Sequence, residues 1–84
     1  MTGSEMKSIR AALGLSAVQL GRAVGYTGGD ATIAVMISKY ENGSRTIPRH
    51  LERLLHMFHW HGVPAGWTSK FPADLHTPTT DEGP

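Results

Sequence analysis

Apolar residues recur at helical spacing along the first half of the chain, in stretches that end at glycines. We predict a first helix over residues 3–13, ended by Gly14, and a second over residues 17–24, ended by Gly25. The residues expected on the buried faces of these two helices are Met6, Ile9, Leu13, Leu20, Ala23 and Val24. The pattern therefore predicts that the chain begins as two short amphipathic helices.

A third helix is predicted over residues 31–42, after a loop rich in glycine over residues 26–29. Asp30 is expected to cap its N-terminus, because Asp accepts hydrogen bonds from the first free amides of a helix. The residues expected on its buried face are Ile33, Ile37 and Tyr40. Because this stretch is rich in β-branched residues, a strand over residues 32–37 is the rival interpretation.

A fourth helix is predicted to begin near Pro48, whose fixed φ suits a first turn, and to end at Gly62 and Pro64. Its apolar stripe consists of Leu51, Leu54, Leu55 and Phe58. Residues 68–84 are polar and acidic and hold too little apolar surface to pack, so we expect a disordered tail. The fold class predicted is all-α: one domain over residues 1–67, a small bundle of four to five helices, followed by that tail.

Composition narrows the classes of protein that this chain can represent. It has 84 residues, enough for one small domain, and no cysteine that could form a disulfide or a thiolate metal site. No run of eighteen apolar residues predicts a membrane span, so we expect a cytoplasmic protein. So small a domain offers no scaffold for a catalytic pocket, and we expect neither an enzyme nor a small-molecule substrate, cofactor or metal.

Charge is distributed unevenly along the chain. The formal net charge is +1 with histidine neutral. Residues 1–70 hold eight Lys or Arg and four acids, whereas residues 71–84 hold three acids and no Lys or Arg. DNA-binding domains of this size are often more basic, so the charge permits DNA binding without arguing for it.

Three stretches carry a more specific signal. They are IRAALGLS over residues 9–16, QLGRAVG over residues 19–25, and ISKYENG over residues 37–43 with RTIP over residues 45–48. Together they closely resemble the Cro/C1-type helix-turn-helix of the XRE family, and the resemblance covers about residues 5–58. It implies a lambda-repressor-like DNA-binding fold in which the third helix enters the major groove of DNA.

The resemblance also implies roles for residues at matching positions. Arg10 and Glu41 match a structural ion pair that ties helix 1 to the end of the recognition helix. The base-reading residues implied are Ala34, Val35, Ser38 and Lys39, with Thr32 as an additional candidate. The phosphate-contacting residues implied are Asn42, Ser44 and Arg45, with the backbone amides near Gly43. Met36 is left open between this surface, the core and a dimer contact.

The chain departs from the family pattern in two places. The family usually has about six residues between the glycine that ends helix 2 and the isoleucine of the recognition helix, whereas Gly25 and Ile37 are twelve apart. The extra residues, within 26–32, either enlarge the turn or lengthen the recognition helix. The Gln that often follows the cap of helix 2 and holds a phosphate is Ala17 here, and the residues expected to compensate are Gln19 and Arg22.

The family's fifth helix is missing, and residues 60–67 (WHGVPAGW) take its place. Four apolar residues are expected either to cover the open end of the core or to form a dimer interface: Phe58, Trp60, Val63 and Trp67. His56, His59 and His61 invite a metal interpretation, but no cysteine or well-placed acid completes a zinc site. They are expected to be surface or interface histidines.

The function expected is that of a prokaryotic or phage-type transcriptional regulator. We expect it to act as a repressor, with its own operon as one candidate target. It would bind an inverted repeat in double-stranded DNA as a homodimer and would therefore associate with the nucleoid. The alternative is an antitoxin or protein-interaction adaptor that uses the helix-turn-helix fold as a scaffold. The low net charge and the apolar Ala34 and Val35 favour that alternative.

Overall fold

The computed structural model describes residues 1–69, and the regular structure within that range is entirely helical. The four helices are α1 (Gly3–Leu13), α2 (Ala17–Ala23), α3 (Asp30–Glu41) and α4 (Arg49–His61). The predicted helices are confirmed to within one residue at most ends, and the rival strand over residues 32–37 is wrong. Apart from residues 68 and 69, the predicted tail lies outside the described residues.

Capping boxes fix the first residues of α1 and α2. The amide of Glu5 donates to the hydroxyl of Thr2 at 3.1 Å, and the Glu5 carboxylate accepts from the Thr2 amide at 2.7 Å. This hydrogen bond from the Thr2 amide lowers the pKa of Glu5. Ser16 and Gln19 make the same reciprocal pair, at 3.1 and 2.8 Å. Each box satisfies two amides that a helix N-terminus would otherwise leave unpaired.

The start of α3 differs from the prediction. Gly29 occupies the N-cap position without any side-chain hydrogen bond, and Asp30 is the first helical residue. The Asp30 carboxylate accepts instead from the guanidinium of Arg22 in α2, so a tertiary ion pair replaces the expected cap. In α4 the prediction is one residue early, because Pro48 is the N-cap and the helix begins at Arg49.

α1 and α2 both pack on the buried side of α3, and α4 packs against α1. The side chains that are completely or almost completely buried are Met6, Leu20, Ile33, Ile37, Leu55 and Phe58. Among the predicted core residues, Leu13, Val24 and Leu54 are only half-buried, and Val24 packs against the core. No polar or charged residue in the described range is buried, so burial of apolar surface holds the bundle together.

The contact between α2 and α3 requires a glycine at position 21. Gly21 is buried in the middle of α2, and a Cβ atom there would overlap Cγ2 of Ile33. Ile33 is completely buried and its β-branched side chain is stiff, so it has little freedom to move aside. The two helices therefore approach as closely as they do because this position carries no side chain.

Replacing Gly21 by Ala should destabilise the fold although Ala is the better helix former. Helix propensity favours Ala by about 1 kcal/mol, whereas overpacking a core costs about 1–3 kcal/mol. The added Cβ would overlap a buried and stiff side chain, so we take the upper part of that range, about 2–3 kcal/mol, and expect a net loss of about 1–2 kcal/mol in the free energy of unfolding, measured by urea denaturation. Ala11→Gly on the exposed side of α1 is the control for helix propensity alone: here Gly and not Ala should be the less stable variant, by about 1 kcal/mol. A G21A protein as stable as the parent would contradict this packing.

The longest described helix, α4, has 13 residues. Within residues 1–69, none of the helices combines the length and the apolar character needed to cross a membrane.

Candidate nucleic-acid interface

The outward face of α3 is open to solvent. Val35 is 54 % exposed, and Ser38 and Lys39 are exposed on the same side of the helix. Ala31 is exposed four residues before Val35, and the spacing of one turn extends this face toward the helix N-terminus. Ala31 was not among the residues expected on this face, although its i, i+4 relation to Val35 indicates that it belongs there.

The remaining base-reading candidates lie at the edges of this face. Thr32 is exposed, whereas Ala34 is half-buried. Met36 is half-buried and packs against the core, which settles the position that the sequence left open in favour of packing. We define the α3 outer face by its exposed residues: Ala31, Thr32, Val35, Ser38 and Lys39. With 12 residues, α3 is about 18 Å long, which is suitable for a helix lying in the major groove.

An ion pair between Arg10 and Glu41 joins the end of α3 to α1. Nε of Arg10 donates to one Glu41 oxygen at 2.6 Å and Nη2 to the other at 3.0 Å, which is the bidentate geometry expected from the sequence. Nη1 of Arg10 also donates to the carbonyl of Leu15 at 3.2 Å. The hydrogen bonds to Glu41 raise the pKa of Arg10. One guanidinium therefore connects α1, the turn after it and the end of α3.

The loop after α3 uses its own backbone amides. The Gly43 amide donates to the Tyr40 carbonyl at 3.3 Å, and the Ser44 amide donates to Oδ1 of Asn42 at 2.9 Å. The Arg45 amide donates to the Lys39 carbonyl at 3.1 Å. The expectation that amides near Gly43 are free for phosphate is therefore wrong for this conformation.

The side chains of this loop are accessible where its amides are not. Asn42, Ser44 and Arg45 are all exposed. The Asn42 side chain still has its amide NH₂ group as a donor, because the contact with Ser44 uses only its oxygen. The loop can therefore offer two polar donors and one cation to a phosphate backbone.

Arg22 does not occupy the role expected for it. Its guanidinium donates to the Asp30 carboxylate and to the Gly28 carbonyl, the latter at 3.3 Å, and its side chain is only 8 % exposed. An arginine that is covered and already paired is not a free phosphate ligand, so this prediction is wrong in the described conformation. Gln19 is exposed, but its side-chain oxygen belongs to the capping box of α2.

The extra residues between α2 and α3 are divided between loop and helix. Residues 26–29 lie in the loop and residues 30–32 form the first turn of α3, so both alternatives left open by the sequence are partly realised. Tyr26 and Tyr40 connect this loop to α3 through their hydroxyl groups, which are 2.9 Å apart. Burial, with the hydrogen bond to Tyr40 as a second cause, raises the pKa of Tyr26 to about 12.

Five cations in the described range have no carboxylate within 4.0 Å, whereas each acid there has a partner. Glu41 and Asp30 bind arginines, Glu52 binds the Met1 amino group at 3.1 Å, and Glu5 belongs to a capping box. The cations that lack such a partner are Lys7, Lys39, Arg45, Arg49 and Arg53. Four of these five follow the middle of α3 in sequence, so a run of uncompensated positive charge begins at the α3 outer face.

Comparison with protein-family models, with curated proteins and with solved structures found no match to this chain. The assignment of a function therefore depends on the chemistry of the described surface. That surface combines a solvent-facing helix with uncompensated cations.

The apolar residues near the end of α4 separate into two groups. Phe58 is completely buried, so it is a core residue, and its placement in a dimer interface is wrong. Trp67 packs edge-on against it, with ring centroids 5.9 Å apart, and covers this end of the core while staying 37 % exposed. Val63 is half-buried, and Trp60 is 71 % exposed. Of these four residues, Trp60, Val63 and Trp67 retain exposed surface that a partner could contact.

The histidines of α4 do not form a metal centre with one another or with acids. No cluster of three or more His, Cys, Asp or Glu residues suited to a metal occurs within residues 1–69. His56 contacts its neighbours instead: its ring lies 5.6 Å from that of Trp60, and Nε2 lies 3.9 Å from Glu52.

Removing one partner of the Arg10–Glu41 pair should destabilise the protein, because the other charge is left 10–22 % exposed and unpaired. We expect Arg10→Met to lower the free energy of unfolding by about 1.5–3 kcal/mol, the range for hydrogen bonds to charged groups. Arg53→Met is the matched control and should change stability by less than about 0.5 kcal/mol. Additive effects of R10M and Glu41→Gln in the double variant would show that the pair contributes no coupling energy.

Proposed function

We propose that this protein is a sequence-specific double-stranded DNA-binding transcriptional regulator. In the proposal, α2 and α3 act as a helix-turn-helix, and the α3 outer face lies in the major groove. The observation that carries it is the one-sided packing of α3. Ile33 and Ile37 are buried while Val35 and Lys39, between and beyond them, face solvent beside uncompensated cations.

The side chains on this face have chemistry that matches base edges. The Lys39 ammonium group can donate to the O6 and N7 acceptors of guanine, and the Ser38 hydroxyl can donate or accept. The Val35 methyl groups suit contact with the C5 methyl group of thymine. A face that combines one cation, one hydroxyl and one apolar side chain can therefore discriminate among base pairs.

Phosphate contacts are assigned to the loop after α3 and to the start of α4. Arg45 is exposed and uncompensated, and its amide is anchored to the Lys39 carbonyl at 3.1 Å, so the two side chains originate close together. Arg49, the first residue of α4, is exposed as well. Asn42 and Ser44 supply neutral donors. Such contacts supply affinity and register without reading sequence.

The proposed regulator acts as a homodimer on an inverted repeat, repressing transcription by occupying the promoter of a prokaryotic or phage operon. Two copies of α3 would then enter successive major grooves about 34 Å apart, because the symmetry of the operator mirrors that of the protein. Val63 and Trp67, which retain exposed apolar surface, are the proposed dimer contacts. Association with the nucleoid follows from this function.

Gel-shift titrations at two salt concentrations test the proposal. DNA binding through phosphates predicts that log K falls by roughly 0.9 for each phosphate neutralised per decade of salt. Lys39→Ala should weaken binding to a specific site more than to random DNA, by a factor of about 5–150 (about 1–3 kcal/mol), whereas Arg45→Ala should weaken both alike. Lys7→Ala on α1 is the matched control and should leave both affinities unchanged.

Two outcomes would contradict this assignment. Equal losses from K39A on specific and random DNA would remove Lys39 from base reading. Absence of salt-dependent binding to any duplex would favour the alternative, a protein-interaction adaptor, for which the exposed Val35 is also suitable.

A further inference from the structure

The outer side of α4 carries an apolar row that the described chain leaves uncovered. Leu54 is half-buried, Met57 is 46 % exposed and Trp60 is 71 % exposed, on the side of the helix away from the core. A shallow groove of about 630 Å³ lies along them. We call this surface the α4 stripe and define it by the residues that line the groove: His50, Arg53, Leu54, His56, Met57, Trp60 and His61. Large exposed apolar side chains grouped in this way mark an interaction site.

The charge of the α4 stripe selects the chemistry of its occupant. Among residues 1–69 no carboxylate lies within 4.0 Å of Arg53, so its positive charge is uncompensated there. Glu52, on a neighbouring side of α4, is bound to the Met1 amino group. In a two-fold contact between copies the same patch faces itself, so positive groups would meet positive groups. The occupant that fits is therefore acidic and carries apolar side chains.

The chain itself contains such a segment. Residues 71–84 hold three acids and no Lys or Arg, and Phe71 and Leu75 lie on either side of Asp74. This segment also starts near the stripe. Trp67 packs against Phe58 near the C-terminus of α4, and the chain continues from there into residues 71–84.

The dimensions of the segment and of the stripe agree. The eleven steps from His50 to His61 span about 17 Å at the helical rise of 1.5 Å per residue. Five extended residues span about the same length. Residues 71–75 are therefore long enough, when extended, to run along the α4 stripe from its C-terminal end.

We propose that residues 71–75 of this chain dock on the α4 stripe, with Phe71 and Leu75 against Met57 and Trp60 and with the Asp74 carboxylate facing Arg53. The contact is intramolecular: its apolar part buries Trp60, and its acidic part neutralises the cation beside it. It does not depend on DNA binding, and it leaves Val63 and Trp67 for the proposed dimer contact.

Paramagnetic relaxation enhancement tests this docking in the full chain without DNA. The chain has no cysteine, so Thr77→Cys gives a single site for a nitroxide label. We expect the label to broaden the amide signals of Arg53 and Met57 and the indole signal of Trp60, while those of Val35 and Ser38 on α3 stay sharp. Raising salt from about 0.1 to about 1 M, which shortens the screening length from ~10 to ~3 Å, should reduce the broadening.

Variants separate docking from random collisions of the labelled segment. Trp60→Ser, on the α4 stripe, should abolish the broadening at Met57. The double change Phe71→Ser with Leu75→Ser, on the docking segment, should abolish it as well. His59→Ser is the matched control, because His59 is exposed on α4 but lies outside the α4 stripe, and it should leave the broadening unchanged.

Three results would overturn the proposal. Absence of broadening on α4 would show that the segment does not dock there. Strongest broadening at Lys39 and Arg45 would place the segment on the proposed DNA surface instead. Broadening that disappears on dilution of labelled protein, or that transfers to an unlabelled ¹⁵N copy mixed with it, would make a second copy the occupant.

Discussion

Burial of one side of α3 is the constraint on which the rest of the molecule depends. Ile33, Ile37 and Tyr40 face α1 and α2, and Gly21 lets α2 approach until its backbone lies against the side chains of Ile33 and Ile37. A helix held by one face must present the opposite face to solvent. The position of Val35 and Lys39 on the surface is therefore a consequence of the core and not an independent feature.

Polar contacts then fix the ends of α3, where apolar packing is weakest. Arg10 holds Glu41 at the C-terminal end, and Arg22 holds Asp30 at the N-terminal end. Both arginines belong to other helices, so each contact also sets an angle between elements. A helix braced in this way can present a rigid set of side chains to a ligand, which limits the ordering cost of binding. Within residues 1–69 the other two acids, Glu5 and Glu52, are also engaged, so no carboxylate of that range compensates the cations after α3.

The sequence was sufficient for features that local spacing determines, and insufficient where a distant partner decides. Apolar periodicity, with the glycine and proline signals at the helix ends, located all four helices because each depends on residues within one or two turns. The role of Asp30 was mispredicted because Arg22, eight residues away, competes for its carboxylate. Phe58 was left open between the core and a dimer interface, because periodicity cannot tell that Trp67 packs edge-on against it. Arg10–Glu41 was expected from the family resemblance, since no local rule joins residues 31 apart.

The proposed recognition of double-stranded DNA by the α3 outer face can be tested by selection of bound duplexes from a random pool, with the folded protein. Base reading by this face predicts enrichment of a palindromic consensus whose half-sites lie one helical turn, about 34 Å, apart. Recovery of duplexes with no sequence in common, from protein shown to be folded, would contradict it.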